Sequence, residues 1–291
     1  MIYLPELDYG NLIDWNHPET QGLISNYIVL PGHFGGTIWW DIIGTNHGTQ
    51  TNMAPPSTST SGRTLQTTRP GGVGEMRFDG TNDYLNVGAN NSLMMSTGYT
   101  IMASFYPTKT PSAGEVVNDI FTKTASPYTN GYYFAFDKDK KLRILNYGTS
   151  QSGTWLISTT ALNLSTWYHV AAKYDGATLA LYINGSLDAS RAETGTVTAN
   201  TGNATIGTDS ALADRFLGGS FDDLRVYNIG LPSQQIQRIS LNTALSLPPY
   251  LRRLSTVFYS IPAAAAGGGG PLYDAGPLID GPLYGSGRLV A

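Results

Sequence analysis

An antiparallel β-sandwich is the fold class this sequence predicts. Composition argues first. Charged residues make up 13% of the 291, about half the usual share. Polarity falls instead to Thr, Ser, Asn and Gly, with 34 Gly and 16 Pro, which suits a β-protein rich in turns and opposes a helical bundle. Turn signals then recur about every 8 to 12 residues, the spacing of sandwiches and barrels. Finally, the stretch from Thr154 to Gly185 shows period-two alternation. Trp155, Ile157 and Thr159 make one strand, Trp167 to Ala172 a second that is apolar on both faces, and Leu179, Leu181 and Ile183 a third. Asp175-Gly176 and Asn184-Gly185 are the turn pairs, the second suited to a type I′ hairpin.

The other elements follow in order. Residues 1 to 20 are irregular, punctuated by Pro5, Gly10 and Pro18, and read as a terminal arm that docks. Leu23 to Leu30 predicts a strand, Ile38 to Asp41 a second, and residues 51 to 74 a Thr/Ser/Pro/Gly excursion without apolar rhythm. Strands then come quickly at 76–80, 83–88, 99–107, 119–124, 131–137 and 141–148, and, after the central stretch, at 203–209 and 221–230. A helical turn is predicted from Pro232 to Leu241, with Ser233 placed to cap it and Ile236 and Ile239 on one face. The expected organisation is an arm (1–20), one sandwich (21–243) and a Pro/Gly-rich tail (244–291).

That tail carries an imperfect repeat: Gly270-Pro271-Leu272-Tyr273, Gly276-Pro277-Leu278-Ile279 and Gly281-Pro282-Leu283-Tyr284. Apolar residues that each follow a Pro suit anchors on a partner, because Pro lowers the cost of ordering. The predicted anchors are Tyr250, Leu251, Phe258, Leu272, Tyr273, Leu278, Leu283 and Tyr284.

Charge and cysteine content narrow the function classes. The net charge is −4 and no basic run exceeds Arg252-Arg253, so nucleic acid is not an expected partner. With no cysteine, disulfides and thiolate metal sites are excluded. The first residues carry Glu6, Asp8 and Asp14 without a basic region, unlike a secretory signal, and no apolar run approaches membrane-spanning length.

Four stretches together resemble a known family. Asp41 to Thr49 (DIIGTNHGT), following Gly22-Leu23, is similar to its opening strand and turn. Phe78 to Leu85 (FDGTNDYL) is similar to its FDG hairpin. Trp167-Tyr168-His169-Val170-Ala171 with Leu179 to Gly185, and Ile206-Gly207 with Gly219 to Asn228, match its later strands. The chain thus resembles the LamG-like jelly-roll domain, a concanavalin A-like lectin/glucanase sandwich, over roughly residues 18 to 241. The resemblance implies the fold; function is left open, since this fold hosts lectins, adhesive modules and enzymes. It does not cover the tail.

Three chemistries are open to these residues. Retaining glycoside hydrolysis needs two carboxyls about 5 Å apart; Asp137 and Asp139 have i,i+2 spacing, but Asp-Lys-Asp-Lys-Lys reads as a charged hairpin turn, and no catalytic acid is nominated. His169 has no Ser-His-Asp pattern around it and reads as a structural histidine. The resemblance implies structural Ca²⁺ as a cofactor candidate, with Asp79, Asp222 and Asp223 as ligands and Asp83 nearby; the competing assignment gives Asp79 and Asp83 to turn amides and Asp222 or Asp223 to Arg225 or Arg77. For glycan, the candidates are Tyr128, Tyr132 and Trp155. The role expected is non-catalytic and structural. The protein expected is a bacteriophage virion component made in the host cytoplasm, first a capsid decoration (cement) protein, with a tail or fibre component or a cellular carbohydrate-binding adhesin module as alternatives. Its expected partners are major capsid or tail protein, sister copies in a homo-oligomer, and a host-surface glycan; neither nucleic acid nor membrane is expected.

Overall fold

The computed structural model describes residues 13–29, 37–53, 61–64, 67–70, 72, 74–111, 116–212 and 215–243. The chain divides into a unit of residues 1–253 and a second of residues 254–291. The second unit lies outside the described residues, as do all eight predicted anchors from Tyr250 to Tyr284, two of them in the first unit, and most of the N-terminal arm.

Among the described residues the strands are β1 (Leu23–Tyr27), β2 (Ile38–Trp39), β3 (Gly48–Thr51), β4 (Gly62–Thr64), β5 (Glu75–Asp79), β6 (Tyr84–Gly88), β7 (Tyr99–Pro107) and β8 (Val117–Lys123). They continue as β9 (Tyr132–Asp137), β10 (Lys141–Asn146), β11 (Leu156–Ala161), β12 (Tyr168–Tyr174), β13 (Thr178–Ile183), β14 (Ser186–Ala192), β15 (Ala204–Ile206) and β16 (Gly218–Tyr227), followed by helix α1 (Ser233–Thr243). Two antiparallel sheets form the sandwich. One runs β14-β13-β12-β7-β16-β5-β4, with β1 also on β16; the other runs β11-β10-β9-β8-β15-β6-β3-β2.

Alternation explains both layers. On β7, Tyr99, Ile101, Ala103 and Phe105 face inward to meet Phe121, Tyr132, Phe134, Phe136, Leu142 and Ile144 of the other sheet. The intervening Met102, with Ala171, Ala180, Tyr182 and Tyr227, faces the other way and is covered by Ile236 and Ile239 of α1 and by Ile13. The outer face of the first sheet is therefore apolar where α1 covers it, which is why Val170, Ala171 and Ala172 are all buried on β12. Asn184 (φ 50°) and Gly185 (φ 77°) form the two-residue hairpin loop between β13 and β14, both left-handed as a type I′ turn requires.

Several elements differ from expectation. β14 and β4 were not predicted; they are edge strands paired on one side only, so neither needs an apolar rhythm. Ser233 begins α1 but does not cap it. The carbonyl of Pro232 accepts from Gln235 and Ile236, and the Ser233 hydroxyl meets the Tyr182 hydroxyl at 2.8 Å.

The positioning element is β16. β7 runs along one side of it, while the other is shared between β5 (opposite Gly218 to Phe221) and β1 (opposite Leu224 to Tyr227). Between the two halves the register shifts at Asp222–Arg225, and Asp223 takes φ 51°. This bulge turns both acids onto the outer face of the first sheet.

Candidate functional site

The outer face around that bulge holds a row of buried charges. Asp222 accepts from Arg69 Nε at 2.8 Å and lies 2.7 Å from Nη2. Arg225 grips Asp223 with two bonds, 2.8 and 2.6 Å, and reaches Glu19 at 2.8 Å with its remaining nitrogen. Asn26 also donates to Asp223, at 2.8 Å. Burial pushes the Asp222 carboxyl up to about 7, opposed by the Arg69 cation and reinforced by the Asp223 charge. A buried ion row of this kind adds little net stability, but removing one partner costs about 3–5 kcal/mol.

Two clefts open beside this row. The first, about 310 Å³, is lined by Thr68, Glu75, Arg77, Asp79, Tyr106, Lys109 and Ser220 among others. The second, about 270 Å³, is lined by Arg69, Pro70, Ser104, Trp167, Tyr168, His169, Asn184, Ser240 and Leu241. Trp167 and Thr68 form the divider: the indole nitrogen donates to Thr68 Oγ1 at 3.0 Å, and the indole packs 5.2 Å from the Tyr106 ring. Thr67 donates to Glu75 at 2.8 Å and accepts from Arg69 N, which fixes the near end of the same loop.

At the floor of the second cleft, His169 stands opposite Ser104 on β7, which in turn stands opposite Asp222 on β16. The row contains Ser, His and Asp, yet it is not a nucleophilic triad. Asp222 is committed to Arg69, and His169 Nδ1 has no hydrogen-bond partner among the described residues. Burial, aided by the Arg225 and Arg69 cations against Asp223, pushes His169 down to about 3, far below the range of an effective general base. His169 is held through its backbone, which donates to Asn184 Oδ1 at 2.9 Å.

The predicted calcium ligands are not brought together. Asp79 pairs across β16 with Gly218, four positions from Asp222, or roughly 13 Å at the usual strand rise. Asp79 Oδ1 accepts from the amides of Thr81 and Asn82, and Asp83 accepts from Asp79 N, while Asp222 and Asp223 belong to arginines. Among the described residues no three His, Asp or Glu side chains form a metal shell. Of the glycan candidates, Tyr132 is fully buried: it stacks on Tyr99 at 4.8 Å and donates to Leu93 O, so it is a core residue with no surface to offer. Tyr128 is exposed (37%). Trp155 is half-buried on the opposite sheet, edge-on to Tyr133.

One acid pair escaped the sequence reading. Glu75 and Asp79 are four apart on β5 and both line the first cleft. A separation of roughly 13 Å along the strand exceeds the carboxyl spacing of both retaining and inverting glycosidases, and Glu75 is ion-paired with Arg77 at 2.7 Å. Asp137 and Asp139 do form the predicted hairpin turn, Asp137 accepting from the amides of Asp139 and Lys141.

A family model described as the concanavalin A-like lectin/glucanases superfamily matches residues 79–237. Among curated proteins none matches the sequence. Among solved structures, the chain is similar to Trypanosoma rangeli sialidase in complex with the inhibitor DANA. The TM-score is 0.55 at 14% identity, covering 82% of this chain and 37% of that one. The binding domain of Paraclostridial Mosquitocidal Protein 1 gives 0.55 at 14%, over 76% and 52%. Domain 4 of AbnA, a GH43 extracellular arabinanase from Geobacillus stearothermophilus, in complex with arabinotriose, gives 0.51 at 17%, over 75% and 98%. The chain thus spans little more than a third of the sialidase but almost the whole of the arabinanase domain. At these identities the likeness is one of fold.

Proposed function

This chain belongs to the concanavalin A-like lectin/glucanases superfamily, and we propose that it is a non-catalytic recognition module that binds carbohydrate at the clefts flanking Trp167 and is displayed on a bacteriophage particle. One observation carries the binding reading: an aromatic divider separates two clefts, and the acids in and beside them are already committed. Glu75 is bound to Arg77, Asp222 to Arg69, and Asp79 to turn amides. Such a face offers stacking surface and hydroxyl-matching groups but no carboxyl pair at hydrolytic spacing. The arabinotriose complex of the arabinanase domain, which matches over 98% of its length, supports the same ligand class.

Display on a particle is supported by the Gly-Pro-Leu repeat of residues 270–284, whose apolar residues suit anchoring on capsid or tail protein. A decoration protein is the first assignment and a tail or fibre component the second. The test is a chain ending at Thr243. It should unfold as cooperatively as the whole chain and retain glycans, yet fail to attach to purified particles that lack it. Attachment by the truncated chain would sink the display reading. Product release from any retained oligosaccharide would sink the non-catalytic one.

A further inference from the structure

We infer that the cleft between Trp167 and α1 is a subsite for a single uncharged sugar ring, with Trp167 as its apolar wall and Ser104, Asn184 and Ser240 as its hydrogen-bonding groups. The inference rests on the carbohydrate reading above and narrows it to one cleft and one charge class.

Size argues first. At about 270 Å³ the cleft falls below the roughly 300–1,000 Å³ of sites for drug-sized ligands, so it suits one ring. Chemistry argues next. His169, only 8% exposed, lies among the residues that line the cleft. Ser104, Asn184 and Ser240 line the same cleft, and their hydroxyl and amide groups mix donors and acceptors as a ring of hydroxyls requires.

Charge decides the class. Arg69 is the charged residue among those lining the cleft, and it is 6% exposed and bonded twice to Asp222. An acidic sugar would have to bury its carboxylate there without a free cation, at a cost that hydroxyl bonds do not offset. Because His169 is held neutral by burial and by the Arg225 and Arg69 cations, it supplies no counter-charge between pH 5 and 8.

The test uses the full chain on an array of neutral and sialylated or uronic oligosaccharides, followed by calorimetric titration with the best-retained neutral one. Trp167→Ala should weaken that binding roughly tenfold or more. Leu241→Arg should do the same by obstructing the mouth; Leu241 is 62% exposed, so this variant should melt like the parent. Trp155→Ala, on the opposite sheet, should leave affinity unchanged. If only acidic glycans are retained, or if Trp155→Ala abolishes binding while Trp167→Ala and Leu241→Arg spare it, this subsite is refuted and the carbohydrate reading survives. If no glycan is retained, both fall.

Discussion

Replacing Asp119 by Asn should stabilise the sandwich at neutral pH, although it removes one partner of an ion pair. Asp119 sits on β8 with no exposed surface, and neither carboxyl oxygen has a hydrogen-bond partner among the described residues. Among the described residues its cation is Arg215, which stands at 3.7 Å and lies over the Tyr133 ring, 5.6 Å from its centroid. Burial pushes the carboxyl up to about 7, with Arg215 pulling down and Asp209 pushing up. An acid raised in the folded state holds its proton there after the unfolded chain has lost it. Stability therefore falls as pH rises from about 4 to about 7 and is level above that. At about 1.4 kcal/mol per pH unit, the cost at pH 8 is on the order of 4 kcal/mol. Asn keeps the shape and removes the charge. Urea unfolding of both proteins from pH 4 to 8 should show near-equal stability at pH 4 and a variant more stable by up to ~4 kcal/mol at pH 8. Reading the difference cancels other titrations: Asp222, pushed up to about 7, acts in the same sense, and His169, pushed down to about 3, adds stability as pH rises from 3 to 6.5. A variant that is less stable at pH 8, or a difference independent of pH, would show that Arg215 keeps Asp119 ionised and would refute the reasoning.

Two further substitutions probe the frame. Arg225→Met, which strands Asp223 and Glu19 in the interior, should cost about 3–5 kcal/mol, visible as a lower urea midpoint. Gly185→Ala, at φ 77° and with its new Cβ 2.9 Å from Gln237 Cα, should lower the melting temperature through a loss of about 1–2 kcal/mol.

Much of the frame was legible because period two and Asn-Gly coincide in β12, β13 and their hairpin. The binding face was harder to read, for identifiable reasons. Tyr132 and Tyr133 are adjacent, and on a strand that one-residue step sends them to opposite faces. Residue type cannot choose between them, but parity with Phe134 and Phe136 marks Tyr132 as core. Arg69 lies in a loop with no apolar rhythm, and nothing local announces that it closes on Asp222, 153 positions later. Trp167 immediately precedes β12, so its alternation with Val170 and Ala172 suggested a strand residue instead of a cleft wall.

The buried charges and the clefts belong to one argument. Ion rows of this kind rarely raise stability above that of an apolar replacement, so the reason for this one lies in what it holds. Arg69 is bound to Asp222, Thr67 to Glu75, and Trp167 to Thr68. These three ties join the loop at residues 67–70 to β16, β5 and the start of β12, and that loop supplies walls to both clefts. A site on a loop gains affinity when its groups need not be ordered on binding. The bulge at Asp222 and Asp223 converts a strand's outer face into buried anchor points, and those anchor points hold the loop against which Trp167, the wall of the proposed sugar site, is fixed.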